Sequence, residues 1–300
     1  MIAADCGIVV GYDGSPAATE ALNWAAREAS VRGTPLVIFL ASDLAPAGEP
    51  TVQSVAALAR QRGKHALARG LSSAESAARP SRVRVELTAE PPAQALCERS
   101  QTAQMVVLGS RGHGRLPGLL LGSVPWQVAA HGHGRVIVVR GQRKYVNALP
   151  SPIVAGVDGS PASEEAVAFA FEEAALRGAP LVAVCALADS PGVLGEARRL
   201  QQEFGQVLTR LEIEYPDVEA VRQVVAGAPR SALLEAAQGA QLVAVGSLGR
   251  TGMPGMMLGS VAQALLHHSP CPLGIVHPGM VRAPGARSLG VARQLVAAGS

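Results

Sequence analysis

One spacing of glycines and serine occurs twice in this chain, where a backbone could hold a phosphate. The pattern is Gly109-x2-Gly112-x9-Gly122-Ser123 in the first half and Gly246-x2-Gly249-x9-Gly259-Ser260 in the second. Each copy follows an apolar run and precedes residues with helical apolar spacing. A strand that enters a glycine turn before a helix presents backbone N–H groups to anions. The repeated pattern therefore predicts two related nucleotide sites.

Each residue type in the pattern suits a phosphate loop. The first two glycines of each copy are expected to let the backbone approach a phosphate, with positive φ where needed, and the third to do the same at the helix start. The serine is expected at the N-cap, where its hydroxyl can bond an N–H group or a phosphate oxygen. Replacing Gly109 and Gly246 by alanine is expected to abolish nucleotide binding at a cost of about 1 kcal/mol, because both should lie in a surface turn.

A second repeated motif, Asp-Gly-Ser-Pro, begins at Asp13 and Asp158. It follows the first predicted strand of each half, whereas the glycine motif follows the fourth. In a doubly wound sheet, ligands bind beyond the carboxyl ends of the strands, where the winding reverses. If these two strands are neighbours, the aspartate faces the phosphate loop across one crevice and can meet a base or a ribose hydroxyl.

The repeat covers a whole domain rather than the motifs alone. Residues Ile8 to Val37 align without gaps on Ile153 to Val182, and 18 of those 30 positions are identical. We therefore expect one domain over residues 1–140, a linker at 141–152, a second domain over 153–278 and a tail at 279–300. A unit of about 140 residues has the size of a globular domain.

Strands and helices are predicted to alternate in each half, which favours a parallel sheet covered on both faces. In the first half the predicted strands are Gly7–Tyr12, Leu36–Ala41, Arg82–Thr88, Gln104–Leu108 and Val136–Arg140, and the helices are Ala17–Arg32, one or two within Val52–Ala78, Pro92–Ser100 and Val124–Ala130. In the second half the strands are Ile153–Val157, Leu181–Ala186, Ala220–Val225, Leu242–Val245 and Leu273–His277, and the helices are Ser163–Arg177, Gly195–Glu214, Ser231–Gln238 and Val261–His268. The tail is expected to hold one short helix near Val291–Ala297.

Composition excludes several functional classes. No apolar stretch reaches the roughly 18 residues of a membrane helix, and the start of the chain does not resemble a secretion signal. Aromatic residues make up 3% of the chain and basic residues do not cluster, which argues against nucleic-acid binding. The four cysteines lack metal or disulfide spacing, so a cytoplasmic protein with reduced thiols is predicted. Histidines 131, 133, 267 and 268 fall at predicted helix ends, which favours a helix-dipole role over a metal site.

The two motifs together resemble the universal stress proteins, in their tandem two-domain form. That resemblance implies two Rossmann-like domains, each a five-stranded parallel sheet of order 3-2-1-4-5. It also implies binding of ATP with a divalent metal, here taken as Mg²⁺. Asp13 and Asp158 would contact the adenosine, and the backbone near Ala41 and Ala186 would meet adenine. The triphosphate would lie against the motif glycines and their neighbours: Gly109, Arg111, Gly112, Gly122, Ser123 and Val124 in the first half, and Gly246, Gly249, Arg250, Gly259, Ser260 and Val261 in the second.

The function expected from this resemblance is a nucleotide-dependent stress-response or signalling module without dedicated catalysis. Slow ATP hydrolysis is the alternative, although the chain lacks a Walker sequence and both lysines lie outside the motifs. A dinucleotide oxidoreductase would need G-x-G-x-x-G after the first strand, and this chain has Asp-Gly-Ser-Pro there. ATP is the one partner predicted; a protein partner and a homodimer are left open.

The two halves are expected to pack as a pseudo-dimer through their fifth strands, near Val136–Val139 and Leu273–Val276, since both would otherwise expose apolar edges. Their sites are expected to differ in charge. The halves carry net charges of +6 and −3, and Arg111 is aligned with Leu248. With the same backbone donors in both copies, the first site is expected to bind ATP more tightly at low salt.

Overall fold

The computed structural model describes residues 7–41, 83–88, 90–112, 121–140, 151–187, 194–250 and 256–279, with three isolated helical positions at 54, 57 and 61. The remainder of the predicted helices within 52–78, most of the predicted linker and the predicted helix near residue 291 lie outside these ranges. Of the helices in the described ranges, none is long and apolar enough to cross a membrane.

Each half contributes five strands in the described ranges. In the first half the elements are β1 (Ile8–Gly11), α1 (Pro16–Arg32), β2 (Leu36–Ala41), β3 (Val83–Thr88), α2 (Pro92–Ser100), β4 (Met105–Gly109), α3 (Ser123–His131) and β5 (Arg135–Val139). In the second half they are β6 (Ile153–Val157), α4 (Pro161–Arg177), β7 (Leu181–Leu187), α5 (Leu194–Glu214), β8 (Ala220–Ala226), α6 (Pro229–Ala236), β9 (Leu242–Gly246), α7 (Ser260–His268) and β10 (Leu273–Val276). The predicted bounds agree within about two residues.

Local chemistry explains where the first helix of each half begins and ends. The Ser15 hydroxyl accepts the Ala18 N–H at 3.1 Å, and Pro16 follows in the first helical position, where its missing N–H costs nothing. The helix ends at Gly33, which adopts the left-handed conformation with φ of 63° and donates to the last carbonyls of α1. Ser160 and Gly178 repeat these roles in α4. Both helices therefore begin one or two residues earlier than predicted.

The strand order confirms the predicted fold class. Each half is a parallel sheet of order 3-2-1-4-5, and β1 lies between β2 and β4. The two sheets join because β5 and β10 pair antiparallel, with Ile137 opposite Gly274 and Val138 opposite Leu273. The result is one ten-stranded sheet, in which the fifth strands lie beside each other rather than at an exposed edge.

A single apolar core runs under α1 and α4 and contains residues of both halves. Trp24, Ile137, Phe169 and Phe171 are buried in it. On the other face of the sheet, one apolar cluster lies under α2 and α3 and contains residues of the first half only. A second cluster lies under α6 and α7 and also includes Leu121, Ala129 and Val138 of the first half. The two halves therefore share apolar packing on both faces of the sheet.

Six charged side chains cross the boundary between the halves and form what we call the interface ion cluster. Glu28 and Arg32 lie on α1, Glu172, Glu173 and Arg177 on α4, and Arg135 on β5. Arg32 contacts all three carboxylates, and Arg177 contacts Glu28 and Glu173. Glu28 and Glu173 are 3% and 0% exposed. When every carboxyl group is ionised, the cluster carries three positive and three negative charges, and this balance offsets part of the cost of burying them.

Candidate functional site

The carboxyl ends of β1 and β4 bring the two repeated motifs of the first half together. The Ser15 hydroxyl, which follows β1, contacts the Arg111 carbonyl oxygen at 3.4 Å. The Gly122 N–H donates to the Ser110 carbonyl at 2.9 Å, so the start of α3 is tied to the end of β4. Asp13, the glycine loop and the start of α3 therefore surround one position at the winding reversal, as the sequence predicts.

The second half repeats this arrangement with matching geometry. The Ser160 hydroxyl contacts the Leu248 carbonyl oxygen at 3.3 Å, and the Gly259 N–H donates to the Ser247 carbonyl at 2.8 Å. The two copies share only part of their sequence. The serine–carbonyl and glycine–carbonyl contacts that occur in both halves are therefore the ones made by the shared motif residues.

The two aspartates lie between the first strand and the glycine loop of each half. Asp13 and Asp158 each accept a hydrogen bond on Oδ1 from the backbone N–H two residues later, at 2.9 Å. Asp158 also accepts the Arg250 N–H on Oδ2 at 3.1 Å. The Asp158 carboxylate thus joins the end of the first strand to the glycine loop. The predicted contact of Asp13 and Asp158 with adenosine stays a prediction.

The first position of each motif requires glycine for a different reason from the one predicted. Gly109 and Gly246 are the last residues of β4 and β9. A Cβ on Gly109 would lie 2.6 Å from the Ala17 backbone, and one on Gly246 would lie 2.8 Å from the Ala162 backbone. The expectation that alanine is tolerated here as in a surface turn is wrong, because the added atom would meet the first turn of α1 or α4.

The second glycine of each motif faces the aspartate. A Cβ on Gly112 would lie 2.5 Å from Asp13 Oδ2, and one on Gly249 would lie 2.6 Å from Asp158 Oδ2. Positive φ, expected only where needed, is not needed here: the described glycines with positive φ do not include Gly112, Gly249 or the other motif glycines. These positions need a missing side chain rather than a special backbone conformation.

The helix starts also differ from the prediction. Gly122 and Gly259 occupy the N-cap positions of α3 and α7, with φ of −80° and −70°, and Ser123 and Ser260 are the first helical residues. Neither helix has a side-chain cap, whereas α1 and α4 are capped by Ser15 and Ser160. The first-turn N–H groups of α3 and α7 are therefore not bonded by a capping side chain, and both serines are exposed.

The backbone donors of the two sites are not identical, contrary to expectation. Pro125 is the third residue of α3, and Ala262 is its counterpart in α7. Proline has no N–H group. The second site therefore offers one more backbone N–H donor in the first helical turn than the first site does. This extra donor favours anion binding at the second site, whereas the loop charge favours it at the first.

The remaining predicted site residues lie at the same edge. Ala41 ends β2. Ala186 lies near the end of β7, directly after Cys185, which pairs with the last residue of β6, Val157. Val124 and Val261 are the second residues of α3 and α7 and are half-buried. Burial and the nearby Asp158 raise the pKa of the Cys185 thiol, whereas Arg250 opposes this.

Two residues that the sequence analysis left out also reach this edge, one in each half. Arg140 follows β5 and His277 follows β10, and both strands border the glycine loops. The Ser110 N–H donates to the Val139 carbonyl at 3.1 Å, and the Ser247 N–H donates to the Val276 carbonyl at 2.8 Å. The signal that could have found them is the position directly after the strand next to each loop.

Comparison with known proteins agrees with this architecture. The sequence profile of the universal stress protein family matches residues 7–140 and again residues 151–277. A universal stress protein of Mycolicibacterium smegmatis is 36% identical over 290 residues, which cover 92% of this chain and 98% of the relative. Universal stress protein Rv1996 of Mycobacterium tuberculosis is 37% identical over 302 residues, covering 89% and 93% of the two chains.

Solved structures show the same fold at low sequence identity. A putative universal stress protein from Pseudomonas aeruginosa superposes with a TM-score of 0.64 at 16% identity, over 92% of this chain and 94% of that one. One from Archaeoglobus fulgidus has a TM-score of 0.62 at 17% identity, over 91% and 96% of the two chains. The molecule is a tandem pair of doubly wound α/β domains. The chain belongs to the universal stress protein family, a family of stress-response proteins, which confirms the predicted family.

Proposed function

We propose that this protein binds ATP with Mg²⁺ at up to two sites and acts as a nucleotide-dependent stress-response or signalling module. The observation that carries this proposal is the pair of helix starts at Gly122 and Gly259. Each lacks a side-chain cap and lies beside a glycine loop at the winding reversal. An anion can therefore bind the first-turn N–H groups, where the helix dipole also favours negative charge.

The same comparison of caps argues against a dinucleotide. In a dinucleotide-binding fold the pyrophosphate lies at the N-terminus of the helix that follows the first strand. In this protein the Ser15 and Ser160 hydroxyls already accept first-turn N–H bonds of those helices, α1 and α4. The phosphate position is thus closed after the first strand and open after the fourth, which suits ATP in preference to NAD.

The residues around each helix start supply the rest of a nucleotide site. The triphosphate would lie against the loop of residues 109–112 or 246–249, which adjoins the open helix start in each half. The Ser123 and Ser260 hydroxyls are exposed and would help to hold Mg²⁺, which keeps most of its bonds to phosphate and water. Asp13 and Asp158 would accept ribose hydroxyls, and the backbone at Ala41 and Ala186 would meet adenine.

We also propose a cytoplasmic location. Cys97, Cys185 and Cys271 are free thiols, and the last two are buried. Free thiols in this number are typical of proteins from a reducing compartment. Fractionation of the native host with an antibody against the protein would test the location.

Calorimetric titration of the purified chain with ATP and MgCl₂ tests the binding proposal, with NAD as the competing ligand. Ser123→Asp should close the first site and Ser260→Asp the second, because each puts a carboxylate where the phosphate would lie. Aspartate is favourable in a first helical turn, so both variants should stay folded. We expect one site to remain in each single variant and none in the double variant.

Thr102→Asp is the matched control. Thr102 is exposed and precedes β4, so it lies at the opposite edge of the sheet, and the variant adds the same charge. It should bind ATP like the unaltered chain. Tight NAD binding without ATP binding, or equal ATP binding in the double variant, would refute the proposal.

A further inference from the structure

The first half has a second arginine at its glycine loop. Strands β4 and β5 pair in parallel, with Gly109 opposite Val139, and the Ser110 N–H bonds the Val139 carbonyl. Arg140 is the next residue, so it leaves the sheet beside Ser110 and Arg111 at the carboxyl edge. Burial and the neighbouring Arg111 guanidinium both lower the pKa of Arg140.

A contact with the other half holds Arg140 in place. Its Nη1 atom donates to the His267 carbonyl oxygen at 2.5 Å, at the C-terminal end of α7. A cation is favourable at a helix C-terminus, where carbonyl groups lack helical partners. The protein thus keeps two like charges close together beside the loop. Such a pair repels itself, and a bound anion of more than one charge would relieve that repulsion.

The second half lacks this pair. Leu248 is aligned with Arg111, and His277 is aligned with Arg140. Burial lowers the pKa of His277 to about 4, so this side chain is neutral at pH 7. In the second loop the described residues include one cation, Arg250, and the backbone N–H of Arg250 donates to Asp158 Oδ2. The difference in positive charge between the two sites is therefore greater than the loop sequences alone indicate.

We propose that Arg140 and Arg111 together bind the terminal phosphates of the nucleotide in the first half, so that this site selects by phosphate number. The second site takes nucleotide mainly through backbone donors and selects less strongly between ATP and AMP. This inference rests on the proposed nucleotide binding. It makes Arg140 a specificity residue contributed by the strand beside the loop and held by the opposite half.

The experiment measures each site alone, by calorimetry with ATP, ADP and AMP in MgCl₂ at low and high ionic strength. Ser260→Asp leaves the first site and Ser123→Asp leaves the second. We expect a larger ratio of AMP to ATP dissociation constants at the first site. In the Ser260→Asp background, Arg140→Gln should weaken ATP about tenfold, the value of one charge-assisted hydrogen bond, and change AMP by less than about twofold. High salt should reduce the difference.

A second variant, which should gain ATP preference, distinguishes a role in binding from a merely structural effect of Arg140→Gln. Leu248 is partly exposed, so Leu248→Arg in the Ser123→Asp background should raise the preference of the second site for ATP over AMP by about 2- to 5-fold. Equal weakening of ATP and AMP by Arg140→Gln, or an unchanged ATP preference, would overturn the inference while ATP binding itself stands. An unaltered chain that binds no nucleotide would instead refute the proposed function.

Discussion

The interface ion cluster gives the sharpest test of how the two halves are held together. Arg32 contacts Glu28, Glu172 and Glu173, and its side chain is 8% exposed. Replacing it by methionine keeps an apolar stem of similar length but leaves three carboxylates facing two arginines. Removing one partner of a buried ion pair typically costs about 3–5 kcal/mol, because the remaining charge is left uncompensated. We therefore expect Arg32→Met to lower the free energy of unfolding by about that amount.

The matched control is a salt bridge of the same chemistry at the surface. Arg222 contacts Glu212 at 2.7 Å, with side chains 40% and 34% exposed. Exposed pairs contribute about 0–1 kcal/mol. Arg222→Met should therefore change the stability by less than about 1 kcal/mol, although it removes the same number of charges.

Urea unfolding followed by tryptophan fluorescence is the assay. Trp24 is 6% exposed, and its ring lies 5.6 Å from the Arg177 guanidinium carbon, so it reports on the cluster directly. With a denaturant slope of about 2–3 kcal/mol per molar, Arg32→Met should lower the urea midpoint by about 1–2.5 M. Adding Glu173→Gln to Arg32→Met restores the charge balance and should recover at least about 1 kcal/mol.

Two results would refute this reasoning. If Arg32→Met costs no more than Arg222→Met, burial does not make these charges interdependent. If the stability losses of Glu173→Gln and Arg32→Met simply add in the double variant, the cost of Arg32→Met arises from lost packing rather than from an uncompensated carboxylate.

Three further predictions concern the ion cluster, a motif glycine and the shared core. Burial and its carboxylate neighbours raise the pKa of Glu173 to about 7. Since the folded-state pKa lies above the unfolded value, stability should fall as pH rises from about 4.5 to 7. In thermal melting across this pH range, Glu173→Gln should lack the part of the fall that the unaltered chain owes to Glu173. Gly109→Ala should cost about 1–3 kcal/mol in urea unfolding because its Cβ would meet the α1 backbone, whereas Gly122→Ala, with 3.4 Å to the nearest atom, should cost less than about 1 kcal/mol; equal costs would contradict this. Ile137→Lys buries an unpaired ammonium in the shared core and should lower stability by at least about 3 kcal/mol or change small-angle scattering, whereas Ile213→Lys, at 78% exposure, should do neither.

The secondary structure was predictable because each element carries its own signals. The predicted bounds of β2 and α2 match the structure, since an apolar strand and a proline-started helix are recognisable within six to nine residues. The class of fold followed from the alternation of such elements, and the family followed from two repeated motifs. The reasons for particular residues were less accessible. Gly109 is a glycine because of the backbone at Ala17, which is distant in sequence and adjacent only after β1 and β4 pair.

The sequence by itself determined that the chain contains two copies of one α/β unit, which strands and helices each has, and where the glycine loops fall. These properties depend on residue spacing and on neighbours along the chain. Only the tertiary structure decided which charges meet. Arg32 and Glu173 join across the two halves, and Arg140 lies near Arg111 and donates to the end of α7. The physical reason is that apolar periodicity tells which face of a strand or helix is buried but not which partner covers it. Partners more than 100 residues apart are chosen by strand order and by the antiparallel pairing of β5 with β10.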